Sequence, residues 1–391
     1  MPCNIPASAN ATAVYISPQT DCETLPANPV FTRVRLTSGV PTLTREVLQS
    51  AELTGSAEFS DVRLSNVQTN AEIGFELSYG SFDEMLAGAM QSDWVDNAEL
   101  TGKTVTVTAA AKTFTVEGED VTTTVKVGDD VYFKGLANDE NKGPLLVTSV
   151  SFAVDTVITV SVNDDVLVDE ASATTNVKAS DRLEVGTTRK YFSLLAVYND
   201  FPGGPYYELT TGAEMTGFSM NGAVNALVTG TIPSIGRKLA GSFTLPAGAT
   251  LEDANKNKPY SGIDTCMYKN GLKFAVATSV DLSLDRGAAA SFVLCDKFVN
   301  HVGYDKANVT MNTQTFFIDT SVDDDFLAEN VVGISARFGV DGKIFSATIP
   351  QGRITSAEKT VDTGDITQAH NVQAYKGDES SLILRRLDTT I

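Results

Sequence analysis

The chain has 391 residues, of which 42% are apolar and 8% aromatic, a composition that excludes wholesale disorder and provides for two or three folded units. Its formal net charge of −20 repels phosphate groups, which argues against sequence-specific nucleic-acid binding. A surface this acidic suits a passage that a polyanion crosses without adhering, and it equally suits a solubilising coat. Threonine, valine, serine and alanine dominate long stretches, which favours β-strands.

The cysteines show no metal-binding spacing, since Cys3, Cys22, Cys266 and Cys295 include no CxxC pair. Cys3 and Cys22 could form a disulfide in an oxidising medium; the alternative is that the thiols stay reduced in a cytosol. No apolar run approaches the roughly 20 residues of a membrane span. Residues 1–10 also lack the basic and apolar regions of a secretion signal. We therefore expect no membrane association.

The chain begins with a proline-rich segment. Residues 1–30 contain five prolines and many alanine, asparagine and threonine residues, so we expect an extended N-terminal arm that is ordered only where another surface receives it. From Phe31 to Thr37, polar and apolar positions alternate, which predicts a half-buried strand. Residues 40–66 are polar and charged, and either a long hairpin or a projecting loop fits them.

A strand and a short helix are predicted in close succession at 72–90. Alternation predicts one apolar face of the strand, formed by Ile73, Phe75, Leu77 and Tyr79. Ser81 is a suitable N-cap for the helix, and Asp83 and Glu84 suit the positive end of its dipole. The apolar stripe that we expect to pack on the sheet consists of Phe82, Met85, Leu86 and Met90.

The next segment, 102–181, changes character. It is acidic and rich in threonine and valine, and short alternating runs are separated by turn signals such as Gly128-Asp-Asp130. Such spacing is typical of a small barrel or sandwich. We interpret it as an inserted all-β domain. From Leu183 the sequence pattern resembles that before residue 102 again. The first domain is therefore predicted to comprise 31–101 and 182–233, and the second 234–391.

The second half of the chain resembles the first. When Phe75 is aligned with Phe316 without gaps, the strand and helix positions of the first half meet similar residues in the second, namely Phe316, Ile318, Asp324, Asp325, Phe326, Leu327 and Ala328. A period this long indicates duplication of a domain, and the alternative is chance matching of apolar positions. By this alignment we expect Phe326 and Leu327 to belong to the core of a second flanking helix.

No active site is evident in the sequence. The two histidines, His301 and His370, are far apart, and no dinucleotide-binding, phosphate-binding or nucleophile-elbow motif occurs. The acids at 323–325 lack the other ligands of a calcium loop, and they suit the first turn of a helix. We assign no catalytic, cofactor or metal-binding residue, and we expect a protein that is not an enzyme.

The segment from Gly74 to Leu86, GFELSYGSFDEML, followed by Trp94, resembles the signature of the major tail (tail tube) proteins of long, non-contractile-tailed bacteriophages. Three further segments are similar to that family in the same order: 186–192, 215–231 and 277–287. The resemblance covers about 31–100 and 183–391. Residues 102–180 depart from it and resemble SH3-like or Ig-like modules that are found inserted in such proteins.

The resemblance implies a mainly β fold with tandem duplicated tail-tube β-sandwich or barrel domains, each with a short flanking helix. The inserted β domain would be an external decoration. It further implies a structural virion protein that polymerises into stacked rings, forms the tail tube and conducts DNA into the host. Expected partners are the chain itself, the tape measure and tail terminator proteins, and genomic DNA passing without specific binding. The expected location is the virion tail, assembled in the bacterial host cytoplasm.

Two questions stay open at this level. Three double-domain chains would present six similar domains around a lumen, and we favour this trimeric ring over one of six chains. The arm 1–30 and the segment 40–66 are expected to make ring-to-ring contacts.

The rival hypothesis is a β-rich receptor- or glycan-binding tail accessory protein. Its aromatic platforms should cluster in loops, whereas the single Trp94 and the aromatic residues of the strands argue against that. A tail-associated hydrolase ranks third.

Overall fold

Antiparallel strands dominate the structure, a computed structural model that describes residues 6–52, 57–161, 166–274, 276–362 and 364–390. The predicted mainly β fold is therefore confirmed. Before the inserted region the chain forms β1 (Thr12–Gln19), β2 (Val30–Arg33), β3 (Leu36–Ser38), β4 (Thr42–Gln49), β5 (Val62–Glu76) and helix α1 (Asp83–Met90).

The inserted region forms β6 (Leu100–Thr108), β7 (Thr113–Val116), β8 (Asp130–Lys134), β9 (Leu145–Phe152), β10 (Thr156–Ser161) and β11 (Glu170–Ala179). The strands that follow it are β12 (Asp181–Glu184), β13 (Tyr191–Tyr198), β14 (Tyr206–Met215), β15 (Gly217–Ala223), β16 (Thr229–Gly236), β17 (Lys238–Ser242) and β18 (Thr250–Glu252).

The second half begins with β19 (Thr265–Lys269), β20 (Leu272–Lys273), β21 (Ala277–Asp285), β22 (Ala289–Ser291), β23 (His301–Gly303) and β24 (Asn308–Phe316). It continues with helix α2 (Ser321–Leu327), β25 (Val332–Val340), β26 (Lys343–Thr360), β27 (Thr367–Ala374) and β28 (Ile383–Asp388). Short 3-10 helices occur at Ala9–Ala11, Asp139–Asn141 and Gly262–Asp264.

The inserted region is a closed six-stranded barrel with the strand order β10-β7-β6-β11-β8-β9. It has a core of its own, in which the rings of Phe114 and Phe133 stack with centroids 4.3 Å apart and are fully buried. Its first and last strands are neighbours, since Leu100 pairs with Val177. The barrel can therefore interrupt the surrounding chain without separating the segments on either side of it.

Outside the barrel, the same arrangement of strands occurs twice. In the first half, β4-β5-β16-β15 form an inner sheet and β1-β13-β14-β17 an outer one. In the second half, β21-β24-β27-β26 and β19-β25-β26-β28 repeat both orders. One bent strand serves both sheets in each half: β14 and β15 with only Thr216 between them, and the 18-residue β26.

The two inner sheets are joined into one. Seven residue pairs, from Gly217 with Asp285 to Ala223 with Ser279, link β15 to β21 in antiparallel register. The result is a continuous sheet with the order β4-β5-β16-β15-β21-β24-β27-β26. Both halves therefore present their inner strands on one surface.

The expectation of an extended arm at 1–30 is wrong for residues 12–19. These residues form β1, which lies between β13 and β2 inside the outer sheet. Val14 is fully buried and Ile16 nearly so, because this short apolar run fills the space between the sheets. The predicted domain boundary at 234 is also displaced, since β17 pairs with β14 and β18 pairs with β2, both in the first half.

The gapless alignment of the two halves is also displaced. Helix α1 begins at Asp83 and α2 at Ser321, so Ser321, rather than Asp324, is the counterpart of Asp83. Phe75 is buried, whereas Phe316, its partner in that alignment, is 43% exposed. The repeated order of strands survives, but the matched residues do not occupy equivalent positions. Spaced apolar residues are frequent enough in strands for such a match to arise by chance.

The two flanking helices differ in what covers them. Phe82, Met85 and Leu86 are each 1% exposed, because α1 packs on β14 and β15 and is covered on its outer side by β12. In α2 the buried residue is Val322, whereas Phe326 is 38% and Leu327 77% exposed. The expected core role of Phe326 and Leu327 is thus wrong for the single chain. Ser81 also does not cap α1: its N-cap residue is Phe82.

This difference predicts unequal effects of one substitution in the unassembled chain. Leu86→Ala should lower the free energy of unfolding by about 2–5 kcal/mol, because it opens a cavity in a filled core. Leu327→Ala, the matched control, should change it little, because that side chain is mostly in contact with solvent. Urea denaturation at a concentration where the chain is monomeric would measure both. Equal losses would contradict the exposure of Leu327.

A buried histidine predicts sensitivity to acid. His370 in β27 is 2% exposed, its ring meets the edge of Phe274, and its Nδ1 atom has no hydrogen-bond partner among the described residues. Burial, helped by the charge of Lys269, lowers its pKa to about 4. Between about pH 6.5 and pH 4 the unfolded chain therefore binds a proton that the folded chain does not, and stability decreases as the pH falls through this window.

His370→Gln should remove about 2–3 kcal/mol of the stability loss between pH 7 and pH 4.5. Urea denaturation at both pH values would measure the difference for the variant and the original chain. His301→Gln is the matched control, because His301 is exposed. An unchanged pH dependence in His370→Gln would show that this histidine is not the titrating group.

Candidate functional site

The described residues do not bring together a metal centre. No group of three or more histidine, cysteine, aspartate or glutamate side chains in them could hold a metal ion. Asp323 accepts hydrogen bonds from Lys359 (2.5 Å) and Gln368 (2.7 Å), and Lys359 lowers the pKa of this carboxyl. Asp325 pairs with Lys269 at 2.5 Å. These acids are therefore engaged by neighbouring side chains of the protein.

Other predicted residues are placed apart. His301 lies on β23 and is exposed, whereas His370 is buried in β27. Cys22 lies 3.5 Å from the guanidinium of Arg237. Cys3 lies outside the described residues, so the Cys3–Cys22 disulfide stays a prediction. None of the described helices is both long and apolar enough to cross a membrane.

The features that stand out are the joints between parts of the chain, and the first joint holds α1. Arg386 of β28 pairs with Asp83 in the first turn of α1, and it also reaches Asp96 (2.9 Å) and Asp181 (3.2 Å). Its guanidinium lies 4.5 Å from the centre of the Trp94 ring. Burial alone would lower the pKa of Arg386, but Asp83 and Asp181 hold it above its ordinary value. The second half thereby holds the first turn of the first half's helix.

Another arginine of the second half holds the other end of α1. Arg286, directly after β21, donates hydrogen bonds to the Gln91 side chain and to the carbonyl oxygen of Gly186. Gln91 ends the helix in the left-handed conformation, with φ of 52°. Arg286 is 5% exposed, and burial lowers its pKa. With Arg286 at one end and Arg386 at the other, α1 is fixed between the two halves.

The barrel is attached by a buried ionic joint. Asp129, fully buried, accepts hydrogen bonds from Nε of Arg182 (2.8 Å) and Nε of Arg385 (3.0 Å). The next residue, Asp130, pairs with Arg337 at 2.6 Å. The barrel is thus docked on the second half's outer sheet. In the sequence these acids indicate only a turn. Two adjacent arginines in the otherwise apolar segment 382–387 could have indicated that buried arginines pair with buried acids.

The hairpin of β4 and β5 is exposed and apolar. Only residues 69–76 of β5 pair with β16, and the hairpin extends beyond them. Its exposed apolar residues, each more than half accessible, are Leu43, Val47, Leu48, Val62 and Leu64. Of the two structures considered for 40–66, the hairpin is the one that forms. By register Val47, Val62 and Leu64 share one face of the hairpin and Leu48 lies on the other, so both faces carry exposed apolar residues, which is typical of an interaction site.

Two more apolar surfaces lie on opposite halves. The first, the aromatic cluster, joins Phe201 to Tyr206 (ring centroids 5.0 Å apart) and Tyr206 to Phe243 (5.2 Å) at the tip of the β13–β14 hairpin. The sequence does not reveal this cluster, because Phe243 follows β17 and is distant in sequence from Phe201 and Tyr206. The second, the helix patch, comprises the exposed residues Phe316, Ile318, Phe326, Leu327 and Val361.

Comparison with known proteins gives one finding. A family model described as phage tail tube protein matches residues 9–374, which includes the inserted barrel and the strands of both halves except β28. No curated protein matches the chain.

The ionic joint of the barrel predicts a large effect of one neutral substitution. Asp129→Asn should lower the free energy of unfolding by about 3–5 kcal/mol, because it leaves Arg182 and Arg385 buried without their counter-charge. Asp139→Asn is the matched control: it breaks the Lys142–Asp139 pair of the same barrel, in which the Asp139 side chain is 89% exposed, and should have little effect. Thermal or urea unfolding would compare the two variants. Similar losses would mean that the joint does not hold the barrel.

Proposed function

The chain belongs to the phage tail tube protein family, and we propose that it polymerises into stacked rings whose common lumen conducts DNA into the host. The family makes it a structural component of the virion tail that associates with itself and with other tail proteins. Among those other proteins we propose the tape measure and the tail terminator. Assembly would take place in the host cytoplasm, before the tail joins the virion. We also propose a non-enzymatic role, which the structural family suggests.

The observation that carries the proposal is the pairing of β15 with β21. It joins the last inner strand of the first half to the first inner strand of the second half. The last inner strand of the second half is β26, whose residues 352–360 pair on one side with β27. At the opposite edge of the shared sheet lie β3 and the start of β4, both of which pair with β5. If the internal joint is repeated between copies, β26 of one copy pairs with this edge of the next copy.

The register of that joint can be derived. The bent strands 206–223 and 343–360 have equal length, so Gly217 corresponds to Ile354. Because α1 begins at Asp83 and α2 at Ser321, Asn70 corresponds to Asn308. Thr42, the partner of Asn70, therefore corresponds to Asp285, the partner of Asn308. Residues 354–360 of one copy would lie beside 36–42 of the next. Exposed strand edges that are satisfied by another copy limit uncontrolled pairing.

Three chains per ring follow most directly from this arrangement. Each chain contributes two sets of four inner strands to one sheet, so three chains provide six equivalent sets around the lumen. A ring of six chains in which only one half faces the lumen would require the two inner sheets to face different surfaces. The shared sheet therefore favours the trimer.

The β4–β5 hairpin is assigned to contact between successive rings. It projects from the inner sheet, it is longer than the β22–β23 hairpin that joins β21 to β24 at the corresponding place in the second half, and its exposed apolar residues would be buried on stacking. Because residues 12–19 form part of the outer sheet, only residues N-terminal to β1 remain available for an arm. The barrel, docked on the outer sheet, would project from the outside of the tube.

The net charge of −20 suits the proposed passage of DNA. An acidic wall repels the phosphate backbone, so DNA would slide without specific binding.

Electron microscopy of the purified chain tests the proposal. We expect tubes in which one ring contains three chains with near-sixfold appearance and the barrels on the outside. Six whole chains per ring would refute the trimer. A chain that stays monomeric at every concentration and salt condition tried would refute assembly itself.

Two matched variants test the role of the hairpin in the same images. Leu48→Asp should yield separate rings instead of tubes, because it places a charge in the proposed ring-to-ring contact. Val154→Asp changes an exposed apolar residue of the barrel (76% exposed, against 55% for Leu48) and should leave the tubes intact. Normal tubes from Leu48→Asp would remove the hairpin from the contact.

A further inference from the structure

Two exposed apolar surfaces remain without a role, the aromatic cluster on the first half and the helix patch on the second. From the internal repeat we infer that the aromatic cluster of one copy docks on the helix patch of its neighbour in the ring. This inference rests on the proposed function and specifies the side-by-side contact within it. Four observations support it.

The first observation is a contact between the halves of one chain. The β25–β26 hairpin of the second half touches the connection between β5 and α1 in the first half. Nζ of Lys343 lies 5.6 Å from the centre of the Tyr79 ring and donates to the side chain of Asn257 at 2.7 Å. At the same hairpin, Lys258 pairs with Asp341 at 2.8 Å. The tip of one half's outer sheet thus rests on the strand–helix connection of the other half.

The second observation is that the same two places in the repeat are exposed where, among the described residues, the other half does not cover them. Tyr206 opens β14 as Lys343 opens β26, so the aromatic cluster occupies the position of the β25–β26 hairpin. Tyr79 lies four residues before α1, and Phe317 lies four residues before α2. Phe317 therefore marks the counterpart of the Tyr79 site, and the helix patch surrounds it.

The third observation concerns the helices. The outer side of α1 is covered by β12 and by Arg386 of β28. The counterpart of β28 in the first half is β17, at whose end Phe243 stands. Leu327, the last residue of α2, is exposed. A second copy that brings its β17 and Phe243 to this helix would meet α2 as Arg386 of β28 meets α1.

The fourth observation is that the two surfaces are chemically matched. In the aromatic cluster, Phe243 is 57% and Phe201 36% exposed, and the Tyr206 ring lies across β17 where Gly241 leaves room for it. In the helix patch, Ile318 is 69% and Val361 75% exposed, and Lys359 lies 4.2 Å from the Phe317 ring at its border. Aromatic anchors that meet an aliphatic surface with a polar border are typical of protein interfaces.

The inner sheet explains why the partner must be another copy. The internal contact accompanies the β15–β21 joint, which uses one edge of each inner sheet. The repeated contact accompanies the opposite edges, 354–360 and 36–42, which lie at the two ends of the eight-stranded sheet. The two surfaces therefore belong to successive copies in a ring.

Disulfide trapping tests the inference in the full chain. Phe243→Cys and Ile318→Cys are combined in a background in which Cys3, Cys22, Cys266 and Cys295 are serine. On oxidation of assembled protein we expect covalent dimers and trimers on a non-reducing gel, with the trimer as the largest closed species. The matched control combines Ile318→Cys with Val154→Cys, an exposed position on the barrel, and should remain monomeric on the gel.

A charge pair tests it without cysteines. Phe243→Asp and Ile318→Asp should each reduce ring formation at least about tenfold in sedimentation experiments, because a charge is buried in an apolar contact. Phe243→Asp combined with Ile318→Lys should restore much of the loss, since the two charges would face each other across the interface. Rescue would not occur if either substitution acted only by unfolding the chain.

The outcomes separate this inference from the proposed function. Tubes that form normally but show no more 243–318 crosslinking than the control would overturn the docking and leave the tube assignment intact. The same result is expected if the aromatic cluster binds a glycan instead of a second copy. A chain that forms neither rings nor tubes would overturn the proposed function.

Discussion

The pairing of β15 with β21 is the constraint on which the rest of the structure depends. It places the inner strands of both halves in one sheet, so the second half cannot rotate independently of the first. The positions of the helices, the outer sheets and the exposed edges follow from it. Because strand pairing is directional and fixed in register, a contact made once within the chain specifies the geometry that would join one copy to the next.

Charge has two different roles in this chain. Acidic residues outnumber lysines and arginines by 49 to 29, yet several arginines are withdrawn into the joints. Arg386 and Arg286 hold the two ends of α1, while Arg182 and Arg385 hold the barrel through Asp129. Buried pairs of this kind fix a geometry more than they add stability. The net charge of the whole chain is −20, which suits the proposed passage of DNA.

The two halves share a topology but differ in their surfaces, and the differences have one physical origin. Each half places the same elements in the same order, whereas the elements that cover them come from neighbours. Within the chain, β12 and the Arg386 side chain of the second half cover α1; α2 has no such neighbour among the described residues and exposes Leu327. The aromatic cluster is likewise the exposed counterpart of a hairpin that is covered within the chain. An asymmetry of this kind is expected of a repeat that is completed only in an assembly.

The sequence by itself determined the class of fold, an inserted β-rich segment for which barrel and sandwich both stayed open, the strand and helix at 72–90, and the family. Each of these depends on local alternation, turn residues or a motif, all of which can be read along the chain. Only the tertiary structure decided that residues 12–19 form an interior strand of the outer sheet, that β17 belongs to the first half, and that Ser321 is the counterpart of Asp83. It also decided that Phe326 and Leu327 are exposed, and it brought Asp129 to Arg182 and Arg385. These outcomes depend on which distant segments pair or cover one another, and the alternation of side chains along a strand specifies one buried face without specifying its partner.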